Sequence, residues 1–248
     1  MSELALLSVE GPIARLTLNR PDKRNALSPE LVSALHARVD QLSKRSEAVV
    51  CVFSGAGPSF CAGMDLRAVL GDKEAPKRIL GSLAELTIKI RALPCVTIAH
   101  VRGAAIGGGC GLVAACDIAL THPEAKLGYP EIDLGICPAV VAPWLIRSVG
   151  AGAARRILLE GGTMSGLRAG ELGLVARVVP AAELEKEVEA LAERIAGAGP
   201  VALRATKKHL NELDGAELAA QVRRGAELSA QIVAGEEAQR ILAKTFGS

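Results

Sequence analysis

The sequence predicts an α/β protein: a core of alternating strands and helices up to about residue 195, then a region of helices alone over 196–248. Two observations predict it. Two apolar, β-rich runs, Ala48–Phe53 and Cys95–Val101, each follow a helical pattern and each end in a glycine-rich segment. From about Ala181 onward only helical periodicity remains.

The elements follow in order. Leu4 to Val9 and Ile13 to Leu18 flank Glu10-Gly11-Pro12 and predict a β-hairpin, with Ile13, Arg15 and Thr17 alternating against Ala14, Leu16 and Leu18. Ser28-Pro29-Glu30 places an N-cap before a proline at the first helical position. Leu31, Leu35, Val39 and Leu42 share one stripe, which predicts a helix over 29–45 with His36 on its surface. The strand at 48–53 empties into Ser54-Gly55-Ala56-Gly57-Pro58-Ser59, and Pro76 opens a second helix with Ile79, Leu83, Leu86 and Ile90 on its apolar face. The strand at 95–101 runs into Gly103–Gly111; Leu112 to Ala115 then reads as helix, Asp117 to Leu120 as strand, and Ala139 to Ser148 as a helix opened by Pro138. Glu183 to Ala196, Pro200 to Leu213 and Ala216 to Phe246, broken near Gly235, complete the chain. With no low-complexity linker between them, the two regions are expected to pack as one unit.

Composition narrows the function. Half of the residues are apolar, yet only Phe53, Phe60, Phe246, Tyr129 and Trp144 are aromatic, and the formal charge is +2. Such a chain offers neither a basic face nor base-stacking rings, so nucleic acid is not an expected partner. The longest uncharged run, 48–64, is interrupted by Ser54, Gly55, Gly57, Pro58, Ser59 and Gly63 and cannot cross a membrane. The N-terminus has no basic segment ahead of an apolar stretch, so a cytoplasmic location is expected. The cysteines at 51, 61, 95, 110, 116 and 137 form no C-x-x-C pair and read mostly as small buried hydrophobes. His36, His100, His122 and His209 have no ligand spacing, so no metal is expected.

No G-x-S-x-G, Walker A or G-x-G-x-x-G spacing occurs. Two turns that follow strands remain, Ser59-Phe60-Cys61-Ala62-Gly63-Met64-Asp65-Leu66 and Gly107-Gly108-Gly109. Backbone amides freed there could converge on one oxygen and stabilise negative charge; the glycines could equally serve packing alone. Within Leu127-Gly128-Tyr129-Pro130-Glu131-Ile132-Asp133-Leu134-Gly135, Glu131 is either a solvated loop residue or a carboxyl raised by desolvation and suited to shuttling a proton.

Asn19-Arg20-Pro21-Asp22-Lys23-Arg24-Asn25-Ala26-Leu27, Phe60-Cys61-Ala62-Gly63-Met64-Asp65-Leu66, Gly107-Gly108-Gly109-Cys110, Ala115-Cys116-Asp117-Ile118 and Pro130-Glu131-Ile132-Asp133-Leu134-Gly135 resemble the crotonase (enoyl-CoA hydratase/isomerase) superfamily. The resemblance runs from about Leu4 to Pro180 and more loosely beyond. It implies a crotonase-like spiral of ββα units, with a helical C-terminal region that mediates homotrimers, often paired into homohexamers. It further implies that the amides of Met64 and Gly108 hold the thioester oxygen of an acyl-CoA, and that Lys23 to Ala26, Ala62, Asp65, Leu66 and Gly107 lie along the substrate. Arg24 is then a candidate partner for the CoA phosphates, with coenzyme A part of the substrate and no separate cofactor. Glu131 matches the glutamate that delivers a proton to C2, whereas the position of the usual second glutamate is Gly111. The resemblance thus implies hydration of a 2-enoyl-CoA, with 3-enoyl to 2-enoyl-CoA isomerisation or a silent acyl-CoA-binding trimer as alternatives. No aspartate stands near Ala139, which disfavours dienoyl isomerisation, and Ile136 and Trp144 are expected to fill core or acyl-pocket space.

Overall fold

A computed structural model describes residues 3–72 and 74–246. The first half runs β1 (Ala5–Glu10), β2 (Ile13–Leu18), α1 (Pro29–Leu42), β3 (Val50–Gly55), α2 (Ala75–Ala92), β4 (Val96–Val101), β5 (Ala104–Ile106), α3 (Gly108–Ala115), β6 (Ile118–Thr121) and β7 (Lys126–Gly128). The second half runs α4 (Ala142–Val149), α5 (Ala151–Glu160), β8 (Thr163–Ser165), α6 (Gly166–Glu171), β9 (Arg177–Val178), α7 (Leu184–Ala196), α8 (Pro200–Leu213), α9 (Glu217–Val233) and α10 (Glu236–Phe246). The mixed α/β class expected from the sequence is the one observed.

The hairpin pairs Ala5 with Leu18 and Glu10 with Ile13, and it starts a six-stranded sheet ordered β1-β2-β3-β4-β6-β9 that is parallel from β2 onward. Alternation along β3 explains why the sheet is covered on both faces. Val50 and Val52 join Leu184, Val188, Leu191 and Ile195 of α7 under one face, while Cys51 and Phe53 join the main core with α1 and α2. A second sheet is ordered β5-β7-β8, and Cys61 extends it by bridging Ala105. The repeat is therefore a strand in the large sheet, a short strand in the small sheet, then a helix: β3, Cys61, α2; β4, β5, α3; β6, β7, α4. This is the spiral of ββα units.

Two expected helices shift, and one residue expected on the surface is half-buried. The helix expected to follow the glycine segment begins inside it, at Gly108, because α3 packs too closely for side chains: a Cβ on Gly109 would stand 2.5 Å from the Cys61 carbonyl oxygen. The helix expected from Ala139 begins at Ala142. Its first residues are held elsewhere, since Ser229 Oγ of α9 accepts from Val140 N–H at 3.2 Å and donates to the Cys137 carbonyl at 2.7 Å. His36 lies half-buried between α1 and α2, with Nε2 at 2.9 Å from the Ser82 carbonyl. Cys51, Cys61, Cys95, Cys110 and Cys116 are buried and Cys137 is partly buried, all as free thiols. No helix among the described residues is long and apolar enough to cross a membrane, and no group of metal-ligating side chains occurs among them.

Asp117, at the entry to β6, anchors α8 and α2 to the sheet. Its carboxylate accepts from Arg91 Nη1 at 2.8 Å, Lys207 Nζ at 2.7 Å and Thr97 N–H at 2.7 Å, while Arg91 Nη2 donates to Asp214 at 2.7 Å. The Arg91 and Lys207 side chains are only 8% and 6% exposed. Removing Asp117 leaves the buried Lys207 with no carboxylate partner and Arg91 with Asp214 alone, so Asp117→Ala is expected to lose about 3–5 kcal/mol of stability. Urea unfolding checks this; a loss under about 1 kcal/mol would show that the network carries little.

Candidate active site

Three chain segments meet where successive strands of the small sheet end. After Cys61 come Ala62-Gly63-Met64; after β5 come Gly107-Gly108; after β7 come Tyr129-Pro130-Glu131. Parallel neighbours lie roughly 4.8 Å apart, so strands that end together must bring their following turns together. The bonds bear this out: Ile106 N–H donates to the Cys61 carbonyl at 3.0 Å, and Gly107 N–H to the Gly128 carbonyl at 2.8 Å.

The first turn is fixed from both sides. Leu27 N–H donates to the Gly63 carbonyl at 2.8 Å, Asp65 N–H to the Leu27 carbonyl at 3.0 Å, and Ala62 N–H to the Arg24 carbonyl at 3.0 Å. Gly63 has φ +89°, and a Cβ there would stand 2.7 Å from the Ile106 carbonyl oxygen and 3.9 Å from Gly108 N. The two turns thus abut. Gly108 is the first residue of α3, where backbone N–H groups have no intrahelical acceptor, and neither its N–H nor that of Met64 donates to another described residue. Two amides without an acceptor among the described residues, one of them at a helix N-terminus, thus lie on abutting turns.

Glu131 lies in a 3-10 turn over Pro130–Leu134. Its carboxyl sits against Gly107: a Cβ there would be 2.6 Å from Oε1. Oε2 is buried with no hydrogen-bond partner among the described residues, and burial pushes this carboxyl up to about 7. The solvated-loop alternative is therefore not the arrangement found. A carboxyl that is half ionised near neutral pH can both accept and return a proton.

Raising this pKa also costs stability. The unfolded chain gives up the proton near 4.5 and the folded chain near 7, so folding weakens as pH rises between those values. Glu131→Gln should match the wild type in stability below about pH 4.5 and exceed it above about pH 7 by a margin on the order of 3 kcal/mol. Thermal unfolding across that range checks this, and a margin independent of pH would contradict it.

The remaining sequence-predicted residues divide into rim and frame. Arg24 is exposed, with φ +51°, and its guanidinium has no ion-pair partner among the described residues. The Ala62 carbonyl accepts from no described residue. Asp65 is not free: Arg20 Nη1 holds it at 2.8 Å and also donates to the Ala26 carbonyl at 3.1 Å. Asn25, fully buried, donates to the Ala56 and Ser59 carbonyls and accepts from Arg20 N–H, which locks the loop carrying Lys23 to Ala26. Leu66 opens a 3-10 turn over Leu66–Val69 beneath α10. Trp144 belongs to the core, its Nε1 donating to Thr87 Oγ1 at 3.0 Å, and Ile136 is buried.

Two participants escape sequence reading. Arg20 frames Asp65 across a long sequence separation that no local pattern signals. Val141 is buried against Gly111: a Cβ on Gly111 would stand 2.5 Å from Val141 Cγ1. The space a side chain at Gly111 would occupy is thus filled by an apolar side chain from another element.

Comparison with known proteins finds relatives over most of the chain. The family described as Enoyl-CoA hydratase/isomerase matches residues 8–244. A Thermus thermophilus protein provisionally named enoyl-CoA hydratase is 38% identical, over 83% of this chain and 83% of its own. The 2,3-dehydroadipyl-CoA hydratase of Escherichia coli is 34% identical over 86% of this chain and 83% of its own. The crystal structure of an enoyl-CoA hydratase/isomerase from Xanthobacter autotrophicus is 27% identical and superposes with a TM-score of 0.89 over 100% of this chain and 95% of that one.

Proposed function

This chain belongs to the enoyl-CoA hydratase/isomerase family, and on that premise we propose that it adds water to a 2-enoyl-CoA thioester, with Glu131 as its only side-chain acid and base. The observation that carries the reading is the Glu131 carboxyl set against Gly107, its buried Oε2 without a partner among the described residues. The hydratase names of the relatives support it.

In the proposed reaction the thioester oxygen accepts from Met64 N–H and Gly108 N–H. The Glu131 carboxylate takes a proton from water as the water oxygen bonds to C3. The C2=C3 pair moves toward the thioester, giving an enolate whose charge the two amides stabilise. Protonated Glu131 then delivers its proton to C2, completing the addition of one water. Gly107, Ala62 and Leu66 line the acyl-CoA path, Asp65 holds its turn through Arg20, and Arg24 meets the CoA phosphates. The enzyme acts in the cytoplasm as a homotrimer or homohexamer on free acyl-CoA, with coenzyme A as part of the substrate and no separate cofactor.

A second reading is favoured by Gly111 and Val141, which leave no second acid. Moving a 3-enoyl double bond into conjugation needs only one carboxylate, which takes a proton from C2 and returns it to C4. Incubation with crotonyl-CoA and with a 3-enoyl-CoA separates the two. Loss of the conjugated-thioester absorbance with the first supports hydration, a gain with the second supports isomerisation, and no change with either contradicts both.

A further inference from the structure

We propose that Val141 is the specificity-determining residue that sets how this site divides its chemistry between water addition and proton shuttling. The inference rests on Glu131 being the acid and base. Gly107 and Gly111 are one turn apart, joined by the first bond of α3, Gly111 N–H to the Gly107 carbonyl at 2.9 Å. Gly107 is the N-cap of α3, with φ +54°, and Gly111 lies in the first turn of the helix. A Cβ at 107 would meet the Glu131 carboxyl, and one at 111 would meet Val141 Cγ1. The carboxyl therefore lies at the N-cap of α3, next to Gly108, and the valine methyls lie one turn further along the same helix.

Val141 is held there from outside the site. A Cβ on Gly225 of α9 would come within 3.1 Å of Val140 Cα, Ser229 binds both ends of Cys137–Val140, and Val141 starts α4 by accepting from Leu145 N–H at 3.1 Å. The valine is thus a fixed wall, 1% exposed. A water needs two to four polar partners to stay in place, and a valine offers none. On this side, water addition has only Glu131 to hold its water, whereas proton transfer between carbon atoms needs no water. Val141 biases the enzyme toward isomerisation.

The test compares kcat/KM for crotonyl-CoA hydration with kcat/KM for 3-hexenoyl-CoA isomerisation in the wild type, Val141→Thr and Val141→Ala. Threonine keeps the shape and supplies a hydroxyl; alanine opens room for water. The wild type should run both reactions, and each variant should raise the ratio of hydration to isomerisation about tenfold. A ratio unchanged within about twofold in both variants overturns the proposal, as does a wild type with no measurable isomerisation. A stability cycle provides a second arm. Gly111→Glu alone should lower Tm because it collides with Val141, and adding Val141→Gly should restore Tm and raise hydration further; no recovery contradicts the assigned wall. Glu131→Gln in parallel separates the two levels. If it abolishes both reactions while the ratio ignores position 141, only the Val141 inference fails; if it keeps turnover, the parent reading fails.

Discussion

Glu131→Gln is expected to lower kcat on a 2-enoyl-CoA by about 10²–10⁴-fold while leaving acyl-CoA affinity within a few-fold. The amide matches the carboxyl in shape and keeps contact with Gly107, so the turn over Pro130–Leu134 should stand. What it removes is the only side-chain acid and base assigned to the reaction, a carboxyl that burial pushes up to about 7. The sign of the pH profile follows. Hydration starts from the carboxylate, so kcat/KM should rise with pH and level off above about 7. Steady-state kinetics checks both points, and turnover retained within tenfold in the glutamine variant would remove Glu131 from the mechanism.

Replacing Gly108 by proline should cost about 10²–10³-fold in kcat, because it deletes one of the two N–H groups proposed to hold the enolate oxygen. Proline is well suited to this test. Gly108 is the first residue of α3, a position where a missing N–H breaks no intrahelical bond. Any Cβ at 108 also meets Leu83 Cδ2 at 2.9 Å and Leu27 Cδ1 at 3.2 Å, both far ends of flexible side chains. Gly108→Ala shares that crowding but keeps the N–H and is the proper control. Equal activity in the two variants would show that packing, not the amide, matters at this position.

Much of the architecture is legible in the sequence because it is encoded locally. The Ser28 cap, the stripe from Leu31 to Leu42, and the β-rich runs before glycine all act within a few residues, and these elements are observed at or within a few residues of the expected places. What local pattern misses is set by distant contacts. The start of α3 depends on the absence of side chains where Cys61 crosses it, and the delayed start of α4 depends on Ser229. The short strands β7, β8 and β9 are too brief to leave a period and exist because the small sheet or the edge of the large one pairs them. Residues 62–64, 107–108 and 131 stand out singly as turns and an acid. Their convergence follows from three parallel strands ending together, which periodicity alone does not reveal.

The same topology explains how so aliphatic a chain can carry chemistry. Charge stabilisation is assigned to backbone amides, proton transfer to one desolvated carboxyl, and the surrounding walls are leucine, valine and glycine. The central claim is that Glu131 moves a proton at C2 of a thioester enolate. The most direct test is NMR of 3-hydroxybutyryl-CoA incubated with the enzyme in D2O. The wild type should place deuterium at C2 on one face, and Glu131→Gln should place none over the same time. Deuterium at C2 in the glutamine variant at the wild-type rate would contradict the claim.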